Sequence, residues 1–226
     1  MIKIENVDVY GFEAAIRGMR NPKNSWNLGD SKYYDDCGVF RIPKIGENDL
    51  KLMKNLSKAG PDHAKFLRMI TVTVDIIAPL YWWKEFDTYK VGTVANSCST
   101  MHKIHAKEFT LDDFSHEHLV DFSLNRLYDI IVHLNVCRKN FIEYDEEKEK
   151  EKYPAMQYEK KDYWWQIIQL LPSSYNQRRT VQLNYQVLKN MYFARKSHKL
   201  DEWRDFCKWI ETLPYFKEIC IEVEND

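Results

Sequence analysis

The sequence lacks the features that mark several large classes of protein. Its formal net charge at pH 7 is only −1, which argues against a general nucleic-acid or anionic-membrane surface, because either would need an excess of Lys and Arg. No apolar run approaches the roughly 20 residues of a membrane span, and the first five residues begin a strand pattern rather than a signal peptide. We therefore expect a soluble cytoplasmic protein that binds neither nucleic acid nor membranes.

Cysteine pairs with metal-ligand spacing are also missing. The five cysteines are scattered and odd in number, and no two of them form a Cys-x-x-Cys pair, so reduced thiols are expected and a zinc site is not. Four histidines lie close together in the sequence without carboxylates in matching geometry, and a surface or turn cluster is the simpler interpretation. These are His102, His105, His116 and His118. No metal site is predicted.

The chain does have enough apolar residues for a sizeable core. Of its 226 residues, 44% are hydrophobic and 14% are aromatic, and this composition is typical of a globular protein rather than a disordered one. The length suits a single domain over residues 1–226, or at most two small ones.

Helices dominate the secondary structure that the sequence predicts. Strands are predicted over 2–10, 70–77 and 178–183, and helices over 47–59, 115–143, 157–171, 184–196 and 200–212. Residues 20–46 are rich in Asn, Gly, Asp and Pro and predict a long loop, while 216–223 could form a strand or a helix. Pro79 is expected to open a helix. Long helices with few strands favour an α+β fold.

The most informative stretch of the chain runs from Ala78 to Cys98. It reads Ala-Pro-Leu-Tyr-Trp-Trp-Lys-Glu-Phe-Asp-Thr-Tyr-Lys-Val-Gly-Thr-Val-Ala-Asn-Ser-Cys. Without a gap, it resembles the signature region of the flavin-dependent thymidylate synthases of the ThyX type. Members of that family carry an Ala-Pro start, an aromatic-rich turn, an Arg-Gln pair and then Arg-His-Arg-x-x-Ser-x-Asn-Glu-x-Ser-x-Arg-Tyr.

Within this frame, many of the family's functional residues are replaced. Lys84 and Lys90 stand for two arginines, Thr93 for the first serine, Thr88 and Tyr89 for Arg-His, Ala95 and Asn96 for Asn-Glu, Cys98 for the second serine, and Thr100 and Met101 for Arg-Tyr. The pattern indicates a relative of the family whose substrate site has been rebuilt.

A second region resembles the C-terminal half of the same family. There, a Leu-Pro is followed by a short strand and a helix that reads Asn-x-Arg-x-Leu-x-x-Asn-x-x-x-x-Arg. Asn184, Leu188, Asn190 and Arg195 fall in register with this helix, and Gln186 replaces its first arginine. Counting back from Ala78, His63 falls on the histidine that family members use beside the flavin.

The resemblance implies a ThyX-like fold with a small mixed or antiparallel sheet, and a homotetramer with active sites between subunits. It also implies FAD as cofactor, NADPH as reductant, methylenetetrahydrofolate as one-carbon donor, and a pyrimidine deoxynucleotide, by default dUMP, as acceptor. The cofactor does the organic chemistry in such enzymes, so no catalytic residue is assigned. The exposed aromatic surface that a tetramer would cover is expected at 81–83 and 163–165.

The candidate site residues follow from register with the two family regions. The cofactor set is His63, Lys84, Lys90, Asn184, Asn190 and Arg195, and the substrate set is Glu85, Thr88, Asn96, Cys98 and Thr100. Simpler interpretations stay open for several: Asn184 as a helix N-cap, Arg195 as an exposed cation near a helix C-terminus, and Cys98 as a small buried residue.

The substrate set leaves the activity itself open. A pocket that has lost two arginines and gained a carboxylate at Glu85 would hold a nucleotide phosphate poorly, because unpaired like charges are costly when desolvated. The alternative to a thymidylate synthase is therefore a catalytically silent or substrate-shifted relative that binds flavin or nucleotide without making dTMP.

Overall fold

The computed structural model describes residues 2–33, 35–36, 39–40, 43–153 and 158–224. The helices are Phe12–Arg20 (α1), Glu47–Lys58 (α2), Leu80–Phe86 (α3), Asp121–Ile142 (α4), Glu146–Lys152 (α5), Lys160–Leu170 (α6), Tyr185–Arg195 (α7) and Asp201–Ile210 (α8). The strands are Lys3–Tyr10 (β1), Asp35–Asp36 (β2), Val39–Phe40 (β3), Thr71–Pro79 (β4), Val94–Ser97 (β5) and Asn176–Asn184 (β6). This mixture confirms the predicted α+β fold.

Four of the strands form one sheet in the order β1-β4-β6-β5, and β2 pairs with β3 in a separate two-stranded antiparallel sheet. Strands β4 and β6 run in opposite directions. The backbone N–H of Tyr185 donates to the carbonyl of Ile70 at 3.0 Å, and the Thr180 hydroxyl donates to Asp75 at 2.6 Å. Residue numbers therefore rise along one strand as they fall along the other, as antiparallel pairing requires.

The sequence of β4, one of the two inner strands, explains why one of its faces packs against the core. Its residues alternate in burial, with Val72, Val74, Ile76 and Ala78 fully buried and the residues between them partly exposed. Alternation with a period of two places one face of a strand against the core. The β-branched residues also suit a pleated, half-buried surface.

Helix α1, which the sequence analysis did not predict, buries Phe12, Ala15, Ile16 and Met19 at helical spacing. It begins directly after Gly11, whose φ is +92°. A Cβ atom at Gly11 would lie 2.1 Å from the carbonyl oxygen of Met69, so both the conformation and the close approach require glycine.

The chain forms two compact units. The smaller unit comprises Ile77–Lys84 and Ser97–Arg179, and the larger unit comprises Ile2–Ile76, Glu85–Asn96 and Thr180–Asp226. A single domain over residues 1–226 stays a prediction.

In the smaller unit, α4 packs against α6. The core beneath them is formed by Ile104, Phe109, Phe114, Leu127, Ile131, Leu134, Cys137 and Ile167. In the larger unit, aromatic rings fill the core. Tyr185 contacts Phe12 and Phe216 edge-on, and Phe86 packs against Trp203 and Phe206.

Several element boundaries differ from the predictions. The helix predicted over 115–143 begins only at Asp121, and Phe122 in its first turn is 71% exposed. Pro79 was expected to open a helix, but it is the last residue of β4, and α3 begins at the next residue. The start of the helix predicted from 157 falls outside the described residues, and α6 begins at Lys160. Residues 217–224 form short helical turns rather than a strand.

No helix in the part of the chain that the structure describes is long and apolar enough to cross a membrane.

Candidate ligand site

Two of the predicted site residues, Glu85 and Arg195, form an ion pair in the larger unit. Glu85 lies in the last turn of α3 and Arg195 in the last turn of α7, where the helix dipole favours a cation. The Nη1 group of Arg195 donates a hydrogen bond of 2.9 Å to Oε2 of Glu85. The cation and the carboxylate, expected on the flavin side and the substrate side, therefore bind each other.

Two aromatic residues hold the guanidinium of Arg195 in place. Its Nε donates to the hydroxyl of Tyr89 at 3.0 Å, and its Cζ lies 4.9 Å from the ring centroid of Trp203 and 5.7 Å from that of Tyr89. Trp203 is fully buried. Trp is the most favourable ring for a cation–π contact, and desolvation strengthens such a contact.

Trp203 adds a second donor to the same carboxylate oxygen, and the ring of His198 lies beside that oxygen. The backbone N–H of Leu200 donates to Nδ1 of His198 at 3.2 Å, which assigns the ring proton of neutral His198 to Nε2. That nitrogen lies 3.4 Å from Oε2 of Glu85, and Nε1 of Trp203 donates to this oxygen at 2.9 Å. Glu85, Tyr89, Arg195, His198 and Trp203 together are called the Glu85 cluster below.

The Glu85 cluster is within reach of solvent. The side chains of Arg195 and Glu85 are 21% and 35% exposed. Beside it, burial raises the pKa of the Cys207 thiol to about 12; Glu211 adds to this rise and Arg195 opposes it. Cys207 therefore stays protonated at neutral pH and is not a nucleophile.

The N-terminus of α7 forms a second group of predicted residues. The side chain of Asn184 accepts from the backbone N–H of Val187 at 3.1 Å and so caps the helix. Gly92, at φ +76°, packs closely against this cap: a Cβ atom there would lie 3.0 Å from Nδ2 of Asn184. The region from Ala78 to Cys98 therefore contacts the start of α7. Asn190 is exposed and accepts a hydrogen bond from Gln186 at 3.1 Å.

Two polar atoms in this group are buried without a hydrogen-bond partner among the described residues. They are Oγ1 of Thr93, at the family's first serine, and Oε1 of Gln186, at the position of the replaced arginine. Buried polar atoms in folded proteins nearly always have a partner, so each of these two atoms could form a hydrogen bond with a ligand.

The other predicted residues of the larger unit lie on its surface. His63, Lys90, Thr88 and Asn96 are exposed. The Thr88 hydroxyl donates to the backbone carbonyl of Glu85 at 2.7 Å, so it stabilises the turn after α3.

In the smaller unit, Lys84 and Cys98 are exposed and Thr100 is half-buried. The backbone of Cys98 pairs with β6: its N–H donates to the Arg178 carbonyl at 3.0 Å, and its carbonyl accepts from the Gln177 side chain at 2.7 Å. Cys98 is a free exposed thiol rather than a buried small residue. Among the described residues, no group of three or more His, Cys, Asp or Glu could hold a metal ion.

Three members of the Glu85 cluster were not predicted as site residues, namely Tyr89, His198 and Trp203. One sequence signal exists, and only for Trp203: a Trp on the buried face of a helix needs an acceptor for its indole N–H. Nothing in the sequence singles out Tyr89 or His198.

No protein-family model and no curated protein matches this chain. Solved structures do resemble it over nearly the whole length, and two examples follow. A crystal structure of Thymidylate Synthase X (ThyX) from Helicobacter pylori with FAD and dUMP shares 14% sequence identity over 100% of both chains, with a TM-score of 0.63. A structure of flavin dependent thymidylate synthase ThyX from Helicobacter pylori, also complexed with FAD and dUMP, shares 15% identity over 97% of this chain and 99% of the other, with a TM-score of 0.60. The chain therefore has the fold of the ThyX-type flavin-dependent thymidylate synthases.

Proposed function

We propose that this protein binds FAD and transfers a one-carbon unit from methylenetetrahydrofolate to a pyrimidine deoxynucleotide in a reductive reaction, with dUMP as the default substrate. The observation that supports this most is the full-length likeness to two structures that contain FAD and dUMP. The two sequence regions that resemble the family, in their shared order and spacing, support it independently.

The residues around the start of α7 fit a flavin. The unpartnered atoms of Thr93 and Gln186 offer hydrogen bonds, and Gly92 lets the segment before Thr93 approach Asn184 closely. Lys90 is exposed in the same segment and could neutralise a phosphate as a point charge. Bound FAD would supply the reductive chemistry, with NADPH as the reductant. His63, Lys84 and Asn190 stay proposals for the same cofactor.

The cofactor proposal is tested by titrating the apoprotein with FAD and following flavin fluorescence. We expect saturable quenching, and a several-fold weaker affinity in Lys90→Ala, because this variant removes one phosphate-neutralising charge. Lys208→Ala is the matched control, since Lys208 is an exposed lysine paired with Asp205 on α8. The absence of quenching at high micromolar FAD would contradict the proposal.

The reaction is tested by release of tritium from 5-labelled dUMP in the presence of FAD, NADPH and methylenetetrahydrofolate. FAD-dependent release would support a thymidylate synthase. FAD binding without release would support the second candidate function, a silent or substrate-shifted relative. One observation favours that candidate: Glu85 already occupies the guanidinium of Arg195, so an arriving phosphate would have to compete with a carboxylate.

We further propose a homotetramer, and part of the aromatic surface first expected to form it is exposed, with Trp165 at 40%. Trp82 and Trp83 are buried in the core and cannot anchor an interface. Helix α4 instead exposes Phe122, Val132 and Val136 at 71%, 64% and 51%, and an exposed apolar face of this kind is typical of an interaction surface. Light scattering should give a tetramer mass, whereas a monomer mass would contradict the proposal.

A further inference from the structure

Nitrogen atoms of three side chains lie around the oxygen Oε2 of Glu85. Arg195 and Trp203 donate to it at 2.9 Å each, and the Nε2 of His198 lies 3.4 Å away. Donors from an arginine, an indole and an imidazole that converge on one point form an arrangement suited to a carboxylate or phosphate oxygen.

The three donors do not depend on Glu85 for their positions. They lie on one short segment at the end of α7 and the start of α8, whereas Glu85 lies on α3, 110 residues before Arg195. Burial fixes Trp203, and the N–H of Leu200 orients the ring of His198.

Arg195 is likewise fixed by a group other than Glu85. Its Nε donates to the hydroxyl of Tyr89, and its guanidinium packs on the ring of Trp203. A donor set that is held from outside keeps its geometry when its acceptor is removed, which is what preorganisation of a binding site means.

We propose that Arg195, His198 and Trp203 form an anion-binding site that the chain fills with its own carboxylate, Glu85. The ligands of this site are carboxylate or phosphate groups. Glu85 competes with them for the three side chains, and so only an anion that outcompetes this carboxylate binds. A ligand with such a group binds here only if it displaces Glu85, and replacement of Glu85 opens the site. The inference shares Arg195 with the proposed function, but its test requires neither flavin nor nucleotide.

The test uses the variant Glu85→Ala and sodium acetate, whose carboxylate matches the group that is removed. A ligand that binds only the folded state raises its stability in a saturable way. We therefore expect acetate, measured against sodium chloride at equal ionic strength, to raise the Tm of Glu85→Ala by several degrees with saturation, and to leave the wild type unchanged. Inorganic phosphate should act in the same way.

Two control variants make the outcome specific. Glu222→Ala removes one carboxylate from an exposed pair with Lys54 in the same unit, and it should not respond to acetate. The double variant Glu85→Ala/Arg195→Met should lose the response, because the strongest donor is missing. An equal response of Glu222→Ala, or none in Glu85→Ala, overturns the proposal.

A second variant covers the case in which Glu85→Ala does not fold. Glu85→Gln keeps the shape of the side chain and an oxygen acceptor, but it removes the negative charge that competes with an anion. Inorganic phosphate should then bind at least ten times more tightly to Glu85→Gln than to the wild type in calorimetry. Equal affinities for phosphate in the two proteins would overturn the proposal.

Discussion

Among the arginine–carboxylate pairs of the larger unit, two differ in almost everything except their chemistry. In the first, Arg20 binds Asp49 at 2.6 Å, and their side chains are only 5% and 0% exposed. In the second, Arg195 binds Glu85 at 2.9 Å, and the exposed fractions are 21% and 35%. The pair at the predicted site is thus the one that solvent and ligands can reach.

The partners of the two pairs show a second difference. Arg20 also donates to the backbone carbonyls of Ser25 and Leu28 at 3.1 and 3.0 Å. The carboxylate of Asp49 accepts from the backbone N–H groups of Asp30 and Ser31 and from the hydroxyl of Ser31. These contacts tie the loop after α1 to α2. The first pair is therefore a structural element, whereas the partners of Glu85 are side chains that suit an anionic ligand.

The largest expected effect comes from breaking the buried pair. Asp49→Asn leaves the guanidinium of Arg20 buried without a counter-charge, and removing one partner of such a pair costs about 3–5 kcal/mol of the free energy of unfolding. Urea unfolding measures this loss. Glu85→Gln is the matched control, because it makes the same substitution in the solvent-accessible pair and should cost about 1 kcal/mol or less. Similar losses in both variants would mean that burial does not separate the two pairs.

The buried pair should also give the protein a defined acid sensitivity. Burial alone would raise the pKa of Asp49, but hydrogen bonds from Ser31, from Arg20 and from the backbone N–H groups of Asp30 and Ser31 outweigh it and leave the pKa below its usual value. A carboxyl whose folded-state pKa is lowered stabilises the fold above its unfolded-state pKa, and this contribution is lost as the pH falls through the folded-state value.

The difference in unfolding free energy between wild type and Asp49→Asn should therefore be constant above about pH 5 and shrink below about pH 4, near the unfolded-state pKa of Asp. Urea unfolding at a series of pH values measures this difference. A difference that grew on acidification would mean that folding raises the pKa of Asp49, which would contradict the prediction.

The sequence predicted the regular elements well because their signals are local. The helix predicted over 184–196 is observed at Tyr185–Arg195, and the strand predicted over 178–183 lies within Asn176–Asn184. Helix α1 was missed although Phe12, Ala15, Ile16 and Met19 show helical spacing. It has only nine residues, and it lies between a strand and a loop whose glycine and proline residues dominate the pattern.

The candidate site was only partly predictable, for a physical reason. Register with the ThyX family selected Glu85 and Arg195, but it assigned them to different ligands. Their contact joins residues 110 positions apart, and no local pattern reports such a pairing. The same limit applies to Trp82 and Trp83: the sequence predicts that aromatic residues bury area, but whether in a core or an interface is decided by tertiary packing.

A double-mutant cycle would show whether the Glu85 cluster acts as one unit. Trp203→Phe removes an indole N–H that donates to Glu85 at 2.9 Å, while the ring and its packing are largely kept. Combined with Glu85→Gln, it should show a coupling of about 0.5–1 kcal/mol, the low end of the range for residues in one hydrogen-bond network. Urea unfolding of the four proteins measures the coupling, and strictly additive losses would argue against a shared network.

The smallest expected effect is the response of the two pairs to salt. At about 1 M ionic strength the Debye length falls to roughly 3 Å, so charges that solvent can reach are screened, while buried charges are screened much less. The stability difference between wild type and Glu85→Gln, about 0.2–1 kcal/mol at low salt for an exposed pair, should therefore shrink between roughly 0.05 and 1 M NaCl. The difference between wild type and Asp49→Asn should stay nearly unchanged over the same range, because the side chain of Asp49 is 0% exposed. Chemical unfolding by urea, which adds no ionic strength, measures both differences. If the Glu85 difference were as insensitive to salt as the Asp49 difference, Glu85 would be shielded from solvent ions, and an anion from solution could not compete with it for Arg195.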